Sequence, residues 1–175
     1  MDLSEFECFL QQHERDIYSF CRYLAMDNDM AGDLYQDTVL RAFEIIDRID
    51  AAKNPKAFFF SIAVGKWKNF RRKAQRRNAI AATVPLKYLT EDIADCDNPE
   101  CHAENALLKD CVGVALAKMD DKYRIPMILF YFDDFGSETI ANICDIPVGT
   151  VKSRLYKGRS ILKGELMKEG FEHGR

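Results

Sequence analysis

A chain of 175 residues, 47% hydrophobic and 30% charged with a net charge of −3, has the composition of a globular protein with room for one domain or two small ones. No apolar run approaches the roughly 20 residues needed to span a bilayer, and the acidic opening "MDLSEFECFL" lacks the basic and apolar regions of a signal peptide, so a cytoplasmic location without membrane insertion is expected. The near-neutral total hides segregation: residues 1–78 carry +1, residues 79–104 carry −5 and residues 105–175 carry +1.

In "DLSEFECFLQQHERDIYSFCRYLAM" the residues Phe6, Phe9, Leu10, Ile17, Phe20, Cys21 and Leu24 recur at helical spacing, with Ser4 placed to cap the start. A second helix is predicted from about Met30 to Ile49, turning Leu34, Thr38, Ala42, Ile45 and Ile49 inward. Asp33, Gln36, Asp37, Leu40 and Arg41 then share its outward side, which suits either a partner or solvent. A third helix begins at "NPKAFFF", where Asn54 can cap and Pro55 suits the first turn. Its expected core residues are Phe59, Ile62, Ala63 and Phe70. From Lys66 to Arg77 it holds seven cations and no acid, and Trp67 among them reads equally as a stacking platform or as core.

The acidic stretch 79–104 contains "DIADCDNPECHAEN", poor in large apolar residues and broken by Pro99, so a flexible linker is expected. Cys96, Cys101, His102 and Cys111 supply zinc-type ligands, but the spacing is loose and Cys111 fits the inner stripe of the next helix as a small hydrophobe. No metal is expected. Six cysteines without an export signal favour reduced thiols. No nucleophile–base arrangement, phosphate-cradling glycine loop or paired-carboxylate motif stands out, so neither catalysis nor a cofactor is expected.

Beyond the linker, Leu108, Cys111, Ala115 and Met119 define a fourth helix, and Ile125, Ile128, Leu129 and Phe132 a fifth. "SETIANIC", the break "DIP" and "VGTVKSRLYKGRSILKGEL" then have helix-turn-helix spacing, with Asp145 in a turn where a left-handed backbone is common. Val151, Leu155, Gly158 and Leu162 face inward. The other side presents Gly149, Thr150, Ser153, Tyr156, Lys157 and Ser160, flanked by Lys152, Arg154 and Arg159. Long cations can reach phosphates while small polar residues let a helix sit close to base edges, although a solvated basic face has the same pattern. The fold class is therefore all-α: two small helical domains, 1–78 and 105–175, joined by the acidic flexible linker 79–104, the second carrying the helix-turn-helix.

"ALAKMDDKYRIPMILFYFDDFGSETIANICDIPVGTVKSRLYKGRSIL" resembles region 4 of extracytoplasmic function (ECF) sigma factors of the sigma-70 family. "AGDLYQDTVLRAFEII" and "FFFSIAVGKWKNFRRKAQRR" resemble its regions 2.2 and 2.3–2.4, in the family's order. Phe58 stands where the family usually has tryptophan, Gly65 where it often has asparagine, and "FGSETIA" replaces the more frequent "LSYEEIA". The resemblance implies a promoter-specificity subunit that binds core RNA polymerase, recognises −35 and −10 elements and helps open the DNA. By it, Asp33, Gln36, Asp37, Leu40 and Arg41 dock the β′ clamp helices, and the second domain meets the β flap. Lys66, Lys68, Asn69, Arg71, Arg72, Lys73, Arg76 and Arg77 hold the −10 region, and Thr150, Lys152, Ser153, Arg154, Tyr156, Lys157 and Arg159 read the −35 element. An anti-sigma factor is a further implied partner, and the acidic linker is implied to enter the polymerase's nucleic-acid channel. Two other readings stay open on the residues: a free-standing dimeric helix-turn-helix regulator, and a redox or zinc sensor built on the cysteine-bearing linker.

Overall fold

The computed structural model describes residues 1–50, 53–80 and 112–168, and every regular element among them is helical. Helix α1, Leu3–Ala25, starts just before the expected cap, Ser4. Asp2, not Ser4, caps it: its carboxylate accepts from the Glu5 N–H at 2.8 Å, and the Glu5 carboxylate accepts from the Asp2 N–H at 2.8 Å. Two acids at the positive end of a helix dipole satisfy orphan donors better than the single Ser4 hydroxyl would. Helix α2, Asn28–Glu44, is capped by Asp27, whose carboxylate accepts from the Met30 N–H. It stops short of Ile49, the remaining stretch forming a 3-10 turn, Ile46–Arg48, that still delivers Ile49 to the core. Helix α3, Pro55–Ile80, starts as its sequence predicts, with the Asn54 side chain accepting from the Ala57 N–H at 3.0 Å.

These three helices pack against one another as a bundle. Its centre is aromatic: Phe9 lies 4.9 Å from Phe59, and Phe20 stacks on Phe60 at 4.2 Å with the rings 6° from parallel. Thr38 is fully buried, and its hydroxyl donates to the Leu34 carbonyl at 2.7 Å, which removes the penalty of an unpaired polar group.

Residues 112–117 form α4, followed by α5, Asp121–Tyr131, α6, Ser137–Cys144, and α7, Val148–Lys168. The last three pack mutually as a second helical unit. Residues 81–104, most of the expected linker, lie outside the described residues, as do Leu108 and Cys111.

Two expected core positions are corrected. Phe70 is 43% exposed, and α3 instead buries Phe60, Val64 and Trp67 beside Phe59 and Ala63. A single inner stripe underestimates this helix because it is covered on two sides, by α1 and α2 and by α6. Phe132 is 48% exposed because α5 ends at Tyr131, where the core of its own unit stops. Its ring instead lies 4.4 Å from Tyr23 of α1. The two units thus touch: α3 packs on α6 and α1 on α5, and Phe60 meets Phe135, in the loop before α6, edge-on at 5.6 Å.

Candidate nucleic-acid interface

The orientation of α7 about its own axis is set from beneath. Val151, Leu155 and Gly158 are buried, as their spacing predicts, and Leu162 is half-buried. Gly158 sits so close to α5 that an added Cβ would lie 2.8 Å from Cγ of Met127. Asp145 makes the preceding turn at φ 55°, the left-handed conformation that aspartate tolerates. With that face locked, Lys152, Ser153, Tyr156, Lys157 and Arg159 are exposed, and Thr150 and Arg154 half-buried. Tyr156 is 74% exposed. None of Lys152, Arg154, Lys157 and Arg159 pairs with an acid among the described residues. Uncompensated cations on both flanks of an exposed hydroxyl-bearing aromatic suit a polyanion.

The basic half of α3 has a different environment. Lys68 donates to the Cys144 carbonyl at the C-terminus of α6 at 2.7 Å, where the helix dipole favours a cation. Arg71 lies 3.3 Å from the Asp121 carboxylate of α5, and the Trp67 indole N–H donates to the same carboxylate at 2.9 Å. Trp67 is therefore core, buried with its one polar atom satisfied, and not a free stacking platform. Phe70 is the exposed aromatic beside it, its ring 5.7 Å away. Lys66 pairs with Asp37 of α2 at 3.6 Å, and Arg72 donates to the Asn69 side chain. Lys73 and Arg76 are exposed and unpaired among the described residues, whereas the Arg77 side chain lies outside them.

On α2, Asp33, Gln36, Asp37, Leu40 and Arg41 are all exposed on one side, Leu40 at 58%, and Arg41 pairs with Glu44 at 2.8 Å. Phe43 extends this surface with a half-exposed ring, an apolar contribution that stripe counting missed.

Asp121 and the cluster around Lys56 are the other residues that sequence reasoning missed. The Lys56 ammonium bonds Asp16 at 2.7 Å and Asp133 at 3.3 Å, joining α1, α3 and the loop after α5. Burial pushes the Asp133 carboxyl up to about 6, outweighing the nearby ammonium. Burial acts against the Lys56 charge, but its bonds to the two carboxylates outweigh that and hold its pKa above the ordinary value. No local pattern marks these residues, since their partners are distant in sequence. The buried thiols of Cys21 and Cys144 are pushed up to about 12 and about 11 by desolvation, so they stay protonated and unreactive. Cys96, Cys101, His102 and Cys111 lie outside the described residues. Among the described residues no helix is long and apolar enough to cross a membrane.

Comparison with known proteins places these surfaces in a family. The Sigma-70 region 2 model matches residues 9–77, and the Sigma-70, region 4 model matches residues 109–162. The ECF RNA polymerase sigma factor SigW of Bacillus subtilis (strain 168) is 28% identical over 169 residues, covering 94% of this chain and 90% of that protein. The ECF RNA polymerase sigma factor EcfG of Rhodopseudomonas palustris (strain TIE-1) is 31% identical, covering 88% of this chain and 81% of that protein. Among solved structures, the sigma factor RpoE in complex with the anti-sigma factor NepR, from Bartonella quintana, superposes with a TM-score of 0.80 at 25% identity, covering 94% and 98% of the two chains.

Proposed function

The chain belongs to the ECF sigma factors, the promoter-recognising subunits of RNA polymerase, and we propose how its surfaces divide that work. Helix α7 enters the major groove of the −35 element. Thr150, Ser153 and Tyr156 face the base edges, and Lys152, Arg154, Lys157 and Arg159 hold the flanking phosphates or, through a bidentate fork, a guanine. The observation that carries this reading is the set of four unpaired cations on both flanks of the Ser153 and Tyr156 face, on a helix whose opposite face is locked against Met127.

Helix α3 takes the −10 region. Lys66, Lys68, Asn69, Arg71, Arg72, Lys73, Arg76 and Arg77 track the backbone of the non-template strand while a base is drawn out of the stack. The outward side of α2, with Asp33, Gln36, Asp37, Leu40 and Arg41, docks the β′ clamp helices of core polymerase, and Phe43 adds apolar area to the same patch. The C-terminal unit meets the β flap. In this division residues 1–78 and 105–175 act as separate domains, and the acidic 79–104 segment enters the basic nucleic-acid channel as a polyanion mimic. The work is binding throughout, with no bond made or broken by the chain, in the cytoplasm. An anti-sigma factor is the expected inhibitor, as the NepR complex of the Bartonella relative supports.

Selection of promoters from a randomised library by the reconstituted holoenzyme tests this division. Two blocks of sequence are expected. Alanine at Ser153 and Tyr156 should relax only the upstream block, and alanine at Asn69 and Lys73 should weaken only the downstream one. If both pairs alter the same block, the assignment fails.

A further inference from the structure

The short loop that follows α5 is wedged against the first helical unit. Phe132 packs on Tyr23 of α1, ring centres 4.4 Å apart, and Phe135 meets Phe60 of α3 edge-on at 5.6 Å. Between these rings the Asp133 carboxylate lies 3.3 Å from the Lys56 ammonium, which itself stands 5.6 Å from the centre of the Phe60 ring. A carboxylate flanked by apolar rings thus joins the two units.

The charges around it do not balance. One ammonium serves two carboxylates, Asp16 at 2.7 Å and Asp133 at 3.3 Å, and these are not equivalent. The Asp16 side chain is 48% exposed and shares its charge with water, whereas that of Asp133 is 7% exposed. The groups facing Asp133 are Lys56 from α3, Asp16 from α1 with His13 3.7 Å behind it, and Asp134 from its own loop. Three carboxylates against one lysine leave the site net negative, and the most buried carboxylate then favours its neutral form. The hydrogen bond from Lys56 holds Asp16 below the ordinary carboxylate value, while burial raises Asp133 to about 6. A proton on Asp133 leaves Lys56 and Asp16 as a one-to-one pair.

We propose that Asp133 is a proton-sensitive latch between the two helical units: protonated, it lets the loop seat between α1 and α3, and ionised, it drives the units toward separation. When they part, Asp133 reaches water and its carboxyl returns to the ordinary range, so closing takes up a proton. Closure is strongest below 3.8, weakens as the pH rises through about 6, and stays level above that. From about pH 5 to about pH 7 the ratio of separated to closed chains should grow about tenfold. The rings of Phe132 and Phe135 contribute at every pH, so the proton tunes the contact and does not alone make it. The shape of the chain then follows the acidity around it, with neither polymerase nor DNA present.

The test uses the full chain alone. Trp67, its only tryptophan, is buried where the indole N–H meets Asp121 of α5, so acrylamide quenching of its fluorescence reports separation of the units. Tyr23→Ala removes one ring of the contact and brings the separated fraction into a measurable range. In that chain the ratio of separated to closed molecules should rise about tenfold between about pH 5 and about pH 7, with circular dichroism unchanged. Adding Asp133→Asn should hold quenching at its acid level at both values. Quenching that ignores pH, or a change that survives Asp133→Asn, would overturn the proposal. A carbon-detected NMR titration reads the wild-type chain however rarely its units part. The Asp133 carboxyl should titrate near 6 there and lower in the Tyr23→Ala chain, because a looser contact must by linkage hold the proton less tightly. Titration of wild type in the ordinary range near 3.8 would also overturn the latch.

Discussion

At Gly158 the space of one methyl group sets how the recognition surface is presented. An added Cβ would stand 2.8 Å from Cγ and 3.0 Å from Sδ of Met127, a middle stretch of side chain that cannot swing away without repacking α5. Overpacking of this kind costs roughly 1–3 kcal/mol, against about 1 kcal/mol gained by replacing glycine in a helix. Gly158→Ala should therefore lower stability in urea by about 1 kcal/mol and weaken promoter binding as α7 tilts; a gain in stability would show that Met127 yields freely. Asp133 gives a second test. Its carboxyl is raised to about 6 from the ordinary 3.8, so between those values the folded chain holds a proton that the unfolded chain has released. Stability from this site is fully present below 3.8 and is lost as the pH rises through about 6. The loss approaches ~3 kcal/mol at most. Asp133→Asn cannot ionise, so its stability relative to wild type should improve as the pH rises from 3.8 through about 6 and stay level above that, and parallel urea profiles would contradict the assignment. Neither residue could be ranked from sequence to the same degree. Gly158 lay on the predicted inner stripe, whereas Asp133 sat in an apparently polar loop whose burial depends on Lys56, far away in the chain.

At the scale of elements, legibility followed how many neighbours a helix has. Helix α7 is packed on one side, and Val151, Leu155 and Gly158 lie inward as counted. Helix α3 is packed on two, so the count placed Phe70 inside and left Trp67 undecided. The caps divide similarly: Asn54 was found by its adjacent proline, while Asp2 was passed over for a hydroxyl residue near it. Two predictions belong here. Lys152→Ala and Arg154→Ala should each cost roughly 1–3 kcal/mol of promoter affinity where a base edge is read, and elsewhere reduce affinity evenly and lower the salt slope by about 1. Electrophoretic mobility shifts with the holoenzyme at several salt concentrations separate these outcomes, and unchanged binding by the folded double variant would displace α7 from the groove. On α2, Asp37→Lys with Arg41→Glu should cost a few kcal/mol of core affinity if those charges meet partners, but little stability, because their internal pairs with Lys66 and Glu44 are exposed and worth about 0–1 kcal/mol each. Equal loss of core binding and of melting temperature would mark the surface as structural.

The whole molecule adds what no segment contains. The helix-turn-helix, the all-helical class and both basic faces were readable because each depends on local spacing. The contact of the two units was not, since it is made by Trp67 with Asp121, Arg124 with Leu24 and Lys68 with Cys144, pairs separated by dozens of residues and sharing no local signal. It also changes what the sequence meant: of the cations that looked uniformly available on α3, Lys68 and Arg71 are held by the second unit, Lys66 and Arg72 by side chains of the first, and Lys73 and Arg76 are left to solvent. Such a chain should be inert on double-stranded promoters alone and gain specificity only as part of the polymerase. The most direct measurement is reconstitution: purified chain mixed with core polymerase, the complex isolated by gel filtration, and run-off transcription measured on promoters recovered by selection. A stoichiometric complex that initiates at a defined start, while core or chain alone does not, is the predicted result. A chain that never joins core, and instead binds a palindromic site by itself as a dimer, would contradict the account.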